Sequence, residues 1–381
     1  MLITGYIRKR VGILSACLCL VSVSEGQSTD HFPIDETPIV EFLAQRGTRS
    51  LVVGIVDGKS QYYKGFGTMN RYGKQRVAPD SNTLFEIGSI TKVFTSLLLV
   101  TLQHEGVVHI DSAVAGYMRP ESVLDPQLNS ITLKHLATHT SGLPRVTPRS
   151  VRPAMTIDLL TLRPGRNPYR WYGASSLYRD MRSVTFAHAI NTQFAYSNIG
   201  VGLLGYALSE AANVPFSQAI RQYITDPLTM TDTYVVVPKH EEHRVAPGHN
   251  KRGRRVPRWE FGEGMQGAGA MVSSLQDMMK FLRINLSNDE TTMAELLDRC
   301  HQPCQATTVP NTQVGLGWFQ TKTVMGRTII WHNGGTGGFS TFIGFDKGAN
   351  VGIVILANST HDVDKLAFTL LQTLSPNHEE L

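Results

Sequence analysis

Apolar residues follow strand spacing at the two ends of this chain and helix spacing through its middle. Residues 49–58, RSLVVGIVDG, are apolar and β-branched, and residues 61–67, QYYKGFG, alternate; Asp57-Gly58 between them predicts a hairpin. Toward the other end, TVMGRTIIWHN, GGFSTFIGFD and ANVGIVILAN form three strand-like runs, separated by Gly-rich turns or by Asp346-Lys347-Gly348. From Asp362 to Leu374 the pattern predicts a helix with Val363, Leu366, Leu370 and Leu371 on one side. Helical patches between the ends fall at 89–105, 132–138, 196–212, 215–223, 274–286 and 291–298. Residues 144–190, rich in Pro, Arg and Tyr, have weak periodicity and read as a long irregular excursion, which in a compact enzyme often forms part of a substrate rim. The expected fold is therefore α/β: a mostly antiparallel sheet made from N- and C-terminal strands, flanked by helices, with a largely helical region inserted.

Composition leaves that picture intact. The 381 residues are 41% hydrophobic and 18% charged, enough for a large core. The N-terminus, YIRKRVGILSACLCLVSVSEGQ, places positive charges before an apolar run, and Ser22 and Ser24 then give a small-x-small cleavage pattern. This reads as a secretory signal over residues 1–24, too short for a membrane span, and implies an exported chain, periplasmic or extracellular. LSAC ending at Cys17 also resembles a lipoprotein box, ranked lower because the apolar run continues past it. Loss of Arg8, Lys9 and Arg10 with this segment lowers the net charge of +5 to +2, so nucleic acid is not implied. KRGRRVPR at 251–258 and the arginines from Arg145 to Arg182 are either a solvated face or a rim that attracts acidic substrates.

Of four cysteines, Cys17 and Cys19 go with the signal. Cys300 and Cys304 remain, either as one local disulfide or as two free thiols. No second cysteine or histidine pair follows at zinc-ligand spacing.

Candidate chemistry begins at LFEIGSITKVF, residues 84–94. If Ser89 and Lys92 share a helix, they lie one turn apart on one face, and an amine there can take the hydroxyl proton. Val93, Leu97 and Val100 support the helix, Gly106 marks its end, and Gly88 permits a tight entry. A packed Lys92 should lose its charge by desolvation and act as a base near neutral pH. Alone the pair is a weak signal. Two further stretches complete it: FAYSNIG at 194–200, with Tyr196 two residues before Asn198, and WHNGGTGGF at 331–339, with His332 and a glycine run ending an apolar strand.

Ser-x-x-Lys, Tyr-x-Asn and [Lys/His]-x-Gly in that order resemble the penicillin-recognising serine hydrolases. The resemblance is to the branch of class C β-lactamases, D-alanyl-D-alanine carboxypeptidases and related esterases. LATHTSGLPR (136–145), QGAGAMVSSLQDMMKF (266–281) and VGLGW (314–318) resemble that branch too. It implies a catalytic domain over 25–381, with a sheet lobe at about 40–80 and 300–381 and a helical lobe at about 81–299. It also implies that Ser89 is the nucleophile, Lys92 the base and Tyr196 the proton carrier. Asn198, His332, Gly334 and Gly335 would bind substrate, Asn198 also helping to hold Lys92, and the backbone N–H groups of Ser89 and Gly335 would receive the carbonyl oxygen. His332 stands where most β-lactamases carry lysine, and Asn333 where a hydroxyl residue is usual. The histidine resembles members acting as peptidases, aminopeptidases or esterases, and both changes argue against a dedicated β-lactamase.

The implied function is a serine hydrolase forming an acyl-enzyme on small amides or esters, such as D-amino-acid peptides, esters or β-lactams. It needs no metal or organic cofactor, and its partner is a small-molecule or short-peptide substrate. The alternatives are an esterase or acyltransferase unrelated to cell wall, or a penicillin-binding sensor without turnover. GVGLLG at 200–205 fits a dinucleotide pattern but lies inside a helical run. His135 and His139 of HLATH have a zinc-compatible spacing but lack the glutamate of a zincin, and the resemblance makes the stretch a structural turn. NLS at 285–287 and NST at 358–360 are glycosylation sequons.

Overall fold

The computed structural model describes residues 33–70, 76–119, 124–149, 151 and 167–374; the signal segment lies outside them. The hairpin is β1 (Ser50–Asp57) and β2 (Ser60–Gly67), and β3 (Met69–Asn70) pairs with β4 (Arg76–Val77). Within the helical region, β5 (Leu84–Glu86), β6 (Thr233–Tyr234) and β7 (Val272–Ser274) form a small sheet in the order β5-β7-β6. The remaining strands are β8 (Gln305–Ala306), β9 (Thr312–Val314), β10 (Phe319–Lys322), β11 (Thr328–Gly335), β12 (Ser340–Asp346) and β13 (Val351–Ala357).

The main sheet is antiparallel throughout and runs β2-β1-β13-β12-β11-β10-β9-β8, so its N- and C-terminal strands meet at β1 and β13, with Leu51 opposite Ala357. Both faces are covered, which explains why β1 and β13 read as unbroken apolar runs. Alternate residues go to separate cores. Leu51, Val53 and Ile55 pack with helices Thr37–Ala44 and Asp364–Leu374 through Ile39, Phe42, Leu366 and Leu370. Val52, Val56, Val354 and Leu356 pack into the larger core with helices Thr91–His104 and Leu275–Leu286.

The predicted helices are present, with refinements. Residues 91–102 are buried all round, so Val93, Leu97 and Val100 are not a single buried stripe. The stretch at 215–223 is an α-helix over Phe216–Ile220 that widens to a π turn over Arg221–Thr225. The excursion at 144–190 is not wholly irregular. It contains a helix, Ala174–Met181, hidden from a periodicity search because its buried face is only Leu177, Asp180 and Met181; Asp180 is held by Arg149 at 2.6 Å and by the Tyr172 hydroxyl at 2.7 Å. TVMGRTIIWHN is a turn followed by a strand, since β11 starts at Thr328. Cys300 is buried and Cys304 exposed, both as free thiols. The sequon asparagines Asn285 and Asn358 are fully buried and hydrogen-bonded within the core.

The glycines of 200–205 lie inside helix Asn198–Ala212, where they let it pack closely on Gln266–Gly269. A Cβ on Gly202 would stand 2.4 Å from the Gly264 carbonyl oxygen, and one on Gly205 would stand 2.8 Å from Gly267 Cα. Gly202→Val should therefore cost about 1–3 kcal/mol of stability by overpacking. Gly116→Ala, where an added Cβ meets nothing within 4 Å, should shift stability by less than about 0.5 kcal/mol; urea midpoints measure both.

Candidate active site

Helix Thr91–His104 is entered through a single 3₁₀ turn, Gly88–Ile90, which holds Ser89 just ahead of it. Gly88 has φ +52°, a left-handed conformation that glycine adopts without strain. Its Cα faces the end of β11 so closely that a Cβ would lie 2.7 Å from Gly335 N. Lys92, one turn into the helix, is wholly buried, with Nζ 3.0 Å from Ser89 Oγ and donating to the Ala268 carbonyl at 2.6 Å. Burial, and secondarily the charge of Arg145, hold its pKa well below the usual lysine value. The amine thus faces the serine oxygen in surroundings that disfavour its charged form.

Tyr196 comes from the loop before helix Asn198–Ala212, whose N-cap is Ser197 accepting from Gly200 N at 2.9 Å. The phenol shares a hydrogen bond with Ser89, and its ring lies 5.0 Å from Lys92 Nζ. Burial pushes its pKa up to about 12 against the opposing effects of Ser89 and Arg145, so the group is a phenol at neutral pH. Behind it, His139 is stacked at 4.4 Å with φ +58°, and its Nδ1 accepts from Ser197 N at 3.1 Å. His139 supports the tyrosine from within the core and is held neutral first by burial and then by Lys92, His332 and Arg145. His135 closes a capping box with Thr132, so the two histidines of HLATH serve local structure.

These groups open into a cleft of about 720 Å³ lined by Ser89, Tyr196, Asn198, Gly334 and Gly335 among others. Ser89 is half-buried and reachable from it. Two expected contacts differ. Asn198 donates to the Tyr169 hydroxyl at 3.2 Å, while the Lys92 contacts run to Ser89 and Ala268. His332 is absent from the cleft wall: its ring is 1% exposed and its Nδ1 contacts the Asn333 carbonyl at 2.6 Å. Strand alternation sends Trp331 and Asn333 toward helix Asp364–Leu374, where each still borders the cleft, and sends His332 to the opposite face of the sheet, within electrostatic reach of Lys92 and His139. Burial first, then Lys92, lowers the His332 pKa to about 3, so the ring carries no charge. Asn333 donates to Asp364 at 2.6 Å.

Several further residues line the cleft, some of them, such as Arg145 and Tyr169, from the excursion read as a substrate rim. Arg145 lies over the Tyr196 ring at 5.0 Å. Tyr169, Trp259 and Phe261 form one aromatic wall, with Tyr169 and Phe261 stacked at 5.3 Å; Phe194, Phe319 and Trp331 form another. Glu86, buried on β5, accepts from Trp259 N at 2.8 Å and bonds to Thr336, tying one aromatic wall and the end of β11 to the strand that leads into Ser89. Burial raises its pKa to about 7. Among the described residues no group of three His, Cys, Asp or Glu is placed to hold a metal, and no helix is long and apolar enough to cross a membrane.

The Beta-lactamase family model matches residues 37–374. Among curated proteins, the chain is 28% identical over 91% of its length, and 91% of the relative's, to the D-alanyl-D-alanine-carboxypeptidase/endopeptidase AmpH of Escherichia coli K12. It is 25% identical over 88% of its length, and 89% of the relative's, to a beta-lactamase of Lysobacter lactamgenus. Among solved structures, a beta-lactamase/D-alanine carboxypeptidase from Pseudomonas syringae superposes with a TM-score of 0.75 at 24% identity, covering 90% of this chain and 98% of that one. A class C beta-lactamase superposes with the same score at 22% identity, covering 91% and 99%. The predicted fold is thereby found.

Two expected outcomes follow from the geometry. A folded-state lysine pKa below the unfolded one means the unfolded chain binds more protons, so this group makes stability rise with pH up to about 10.4. Lys92→Met removes that dependence, and the stability difference should therefore shift in favour of the wild type as pH is raised; melting curves across pH measure it. At Gly334 a Cβ would lie 2.0 Å from the Ile87 carbonyl oxygen. Gly334→Ala should push β11 away from the serine turn and lower kcat/KM about 100-fold, measured with any ester the protein hydrolyses.

Proposed function

The chain belongs to the Beta-lactamase family, and on that premise we propose that it is a serine hydrolase whose acyl-enzyme forms on Ser89. The observation that carries this reading is a buried lysine amine, its pKa held well below the usual lysine value, 3.0 Å from a cleft-facing serine oxygen that also bonds a phenol. In this reading the Ser89 hydroxyl proton passes to Lys92 Nζ as Oγ bonds to the substrate carbonyl carbon. The N–H groups of Ser89 and Gly335 receive the negative charge on the carbonyl oxygen. Tyr196, a phenol at the start, gives its proton to the leaving nitrogen or oxygen as that bond breaks, and the Lys92 ammonium then re-protonates Tyr196. Water repeats the sequence in the second half, with the serine as leaving group.

The substrates are small amides or esters, among them D-amino-acid peptides, esters and β-lactams. His332 offers no charge to the cleft and the Asn333 amide is committed to Asp364, so neither supplies a cationic contact for a substrate carboxylate. Asn198, Gly334 and Gly335 serve as the binding surface, with His332 acting from behind it. We also propose export to the periplasm or beyond the cell, from the charged, then apolar, then small-residue pattern of residues 1–24.

The test is turnover of p-nitrophenyl acetate, nitrocefin and a D-alanyl-D-alanine peptide by the full chain, with intact-mass detection of the adduct. Ser89→Ala should abolish the adduct and lower turnover about 10⁴-fold or more. Labelling without turnover would make the protein a sensor, turnover of esters alone an esterase or acyltransferase, and labelling at another residue would overturn the assignment.

A further inference from the structure

We propose that Arg145 selects acyl donors whose leaving group carries a carboxylate, by pairing with that carboxylate beside Tyr196. The proposal deepens the acyl-transfer reading and rests on it. Arg145 lines the cleft and is exposed, and among the described residues no carboxylate pairs with its guanidinium. That sets it apart from Arg149, Arg244 and Arg327, each of which is held by an aspartate. A planar cation facing a cavity with no internal anion is a recognition group for carboxylates, which it can bind through two parallel hydrogen bonds.

Its position indicates which end of the substrate it meets. The guanidinium lies 5.0 Å from the centre of the Tyr196 ring, and Tyr196 is the group assigned to protonate the leaving atom. A carboxylate carried by the leaving group falls on the Arg145 side. The opposite end of the cleft is unsuited to an anion. His332 is buried beside Lys92 and absent from the lining, Asn333 donates its amide to Asp364, and Asp362 adds a carboxyl to the lining. Lys251 is the other lysine or arginine on the wall. The Arg145 main chain is fixed independently of its side chain, because its carbonyl accepts from Asn198 N at 2.9 Å at the start of helix Asn198–Ala212. Truncation of the side chain therefore leaves the loop anchored.

Phenyl acetate and 3-acetoxybenzoate differ by one carboxylate on the leaving group. The readout is the ratio of their kcat/KM values, which cancels any general effect of a substitution on Ser89, Lys92 or Tyr196. In Arg145→Ala the preference for 3-acetoxybenzoate should fall about ten- to hundredfold, and Arg145→Lys should restore part of it. An unchanged ratio in Arg145→Ala, or a ratio that falls only in Lys251→Ala, would overturn the proposal. A second arm needs no turnover. Calorimetric titration of 3-acetoxybenzoate into Ser89→Ala and into Ser89→Ala/Arg145→Ala should show binding weakened by the same factor, and equal or undetectable affinity in both would refute the role of Arg145. If the wild type hydrolyses neither ester, the acyl-transfer reading fails on its own, and the titration still decides whether Arg145 binds carboxylates.

Discussion

The site depends on keeping one buried amine away from any carboxylate. Lys92 sits on a helix that is buried on every side from Thr91 to Leu102, and among the described residues no carboxylate lies against its Nζ; its contacts are a hydroxyl and a carbonyl. A carboxylate in that position would stabilise the ammonium and remove the lone pair that can accept the Ser89 proton. The surroundings do the reverse. His139 and His332 are neutral, and Arg145 adds positive charge from the cleft side. The protein therefore tolerates an expensive buried lysine because the lysine is never required to be a cation before the reaction begins.

Holding that amine against a serine, and both against a phenol, requires close backbone approach among three distant segments. Glycine supplies it at the junction of the serine turn with β11, where Gly88 faces Gly335 and Gly334 faces Ile87. Hydrogen bonds then lock the junction. Thr341 on the neighbouring strand donates to the Ile87 carbonyl at 3.0 Å, and Glu86 fastens the strand end through Thr336. The nucleophile is thus positioned by sheet and helix together, and the tyrosine loop by its own helix cap and by His139 stacked behind it.

The legible parts of this arrangement are those with short-range signatures. Ser89 and Lys92 announce themselves by one helical turn, and the terminal strands by apolar runs between turn residues. Trp259 and Phe261 do not, because each enters the cleft through contacts between segments far apart in the chain; Arg145 and Tyr169 fall in a stretch whose composition suggests a rim without marking which residues face the substrate. Helix Ala174–Met181 escaped notice because an aspartate replaces an expected apolar residue on its buried face and finds its partners only in the folded state. His332 was placed on the correct strand, but its facing depends on a one-residue alternation relative to the serine turn, which only the sheet register settles.

The order of the sheet has a consequence for how the protein comes into being. β13, the last strand of the chain, lies between β1, the first, and β12, so the sheet is continuous only after contacts spanning most of the polypeptide have closed. Such non-local pairing demands a large loop-closure entropy before it is rewarded, and it makes folding slow relative to helical bundles of similar stability. A nascent chain that has emerged only as far as the tyrosine loop contains Ser89, Lys92 and Tyr196 but none of β11, so it lacks the strand that completes the cleft. The cleft is therefore incomplete until β11 has emerged and paired.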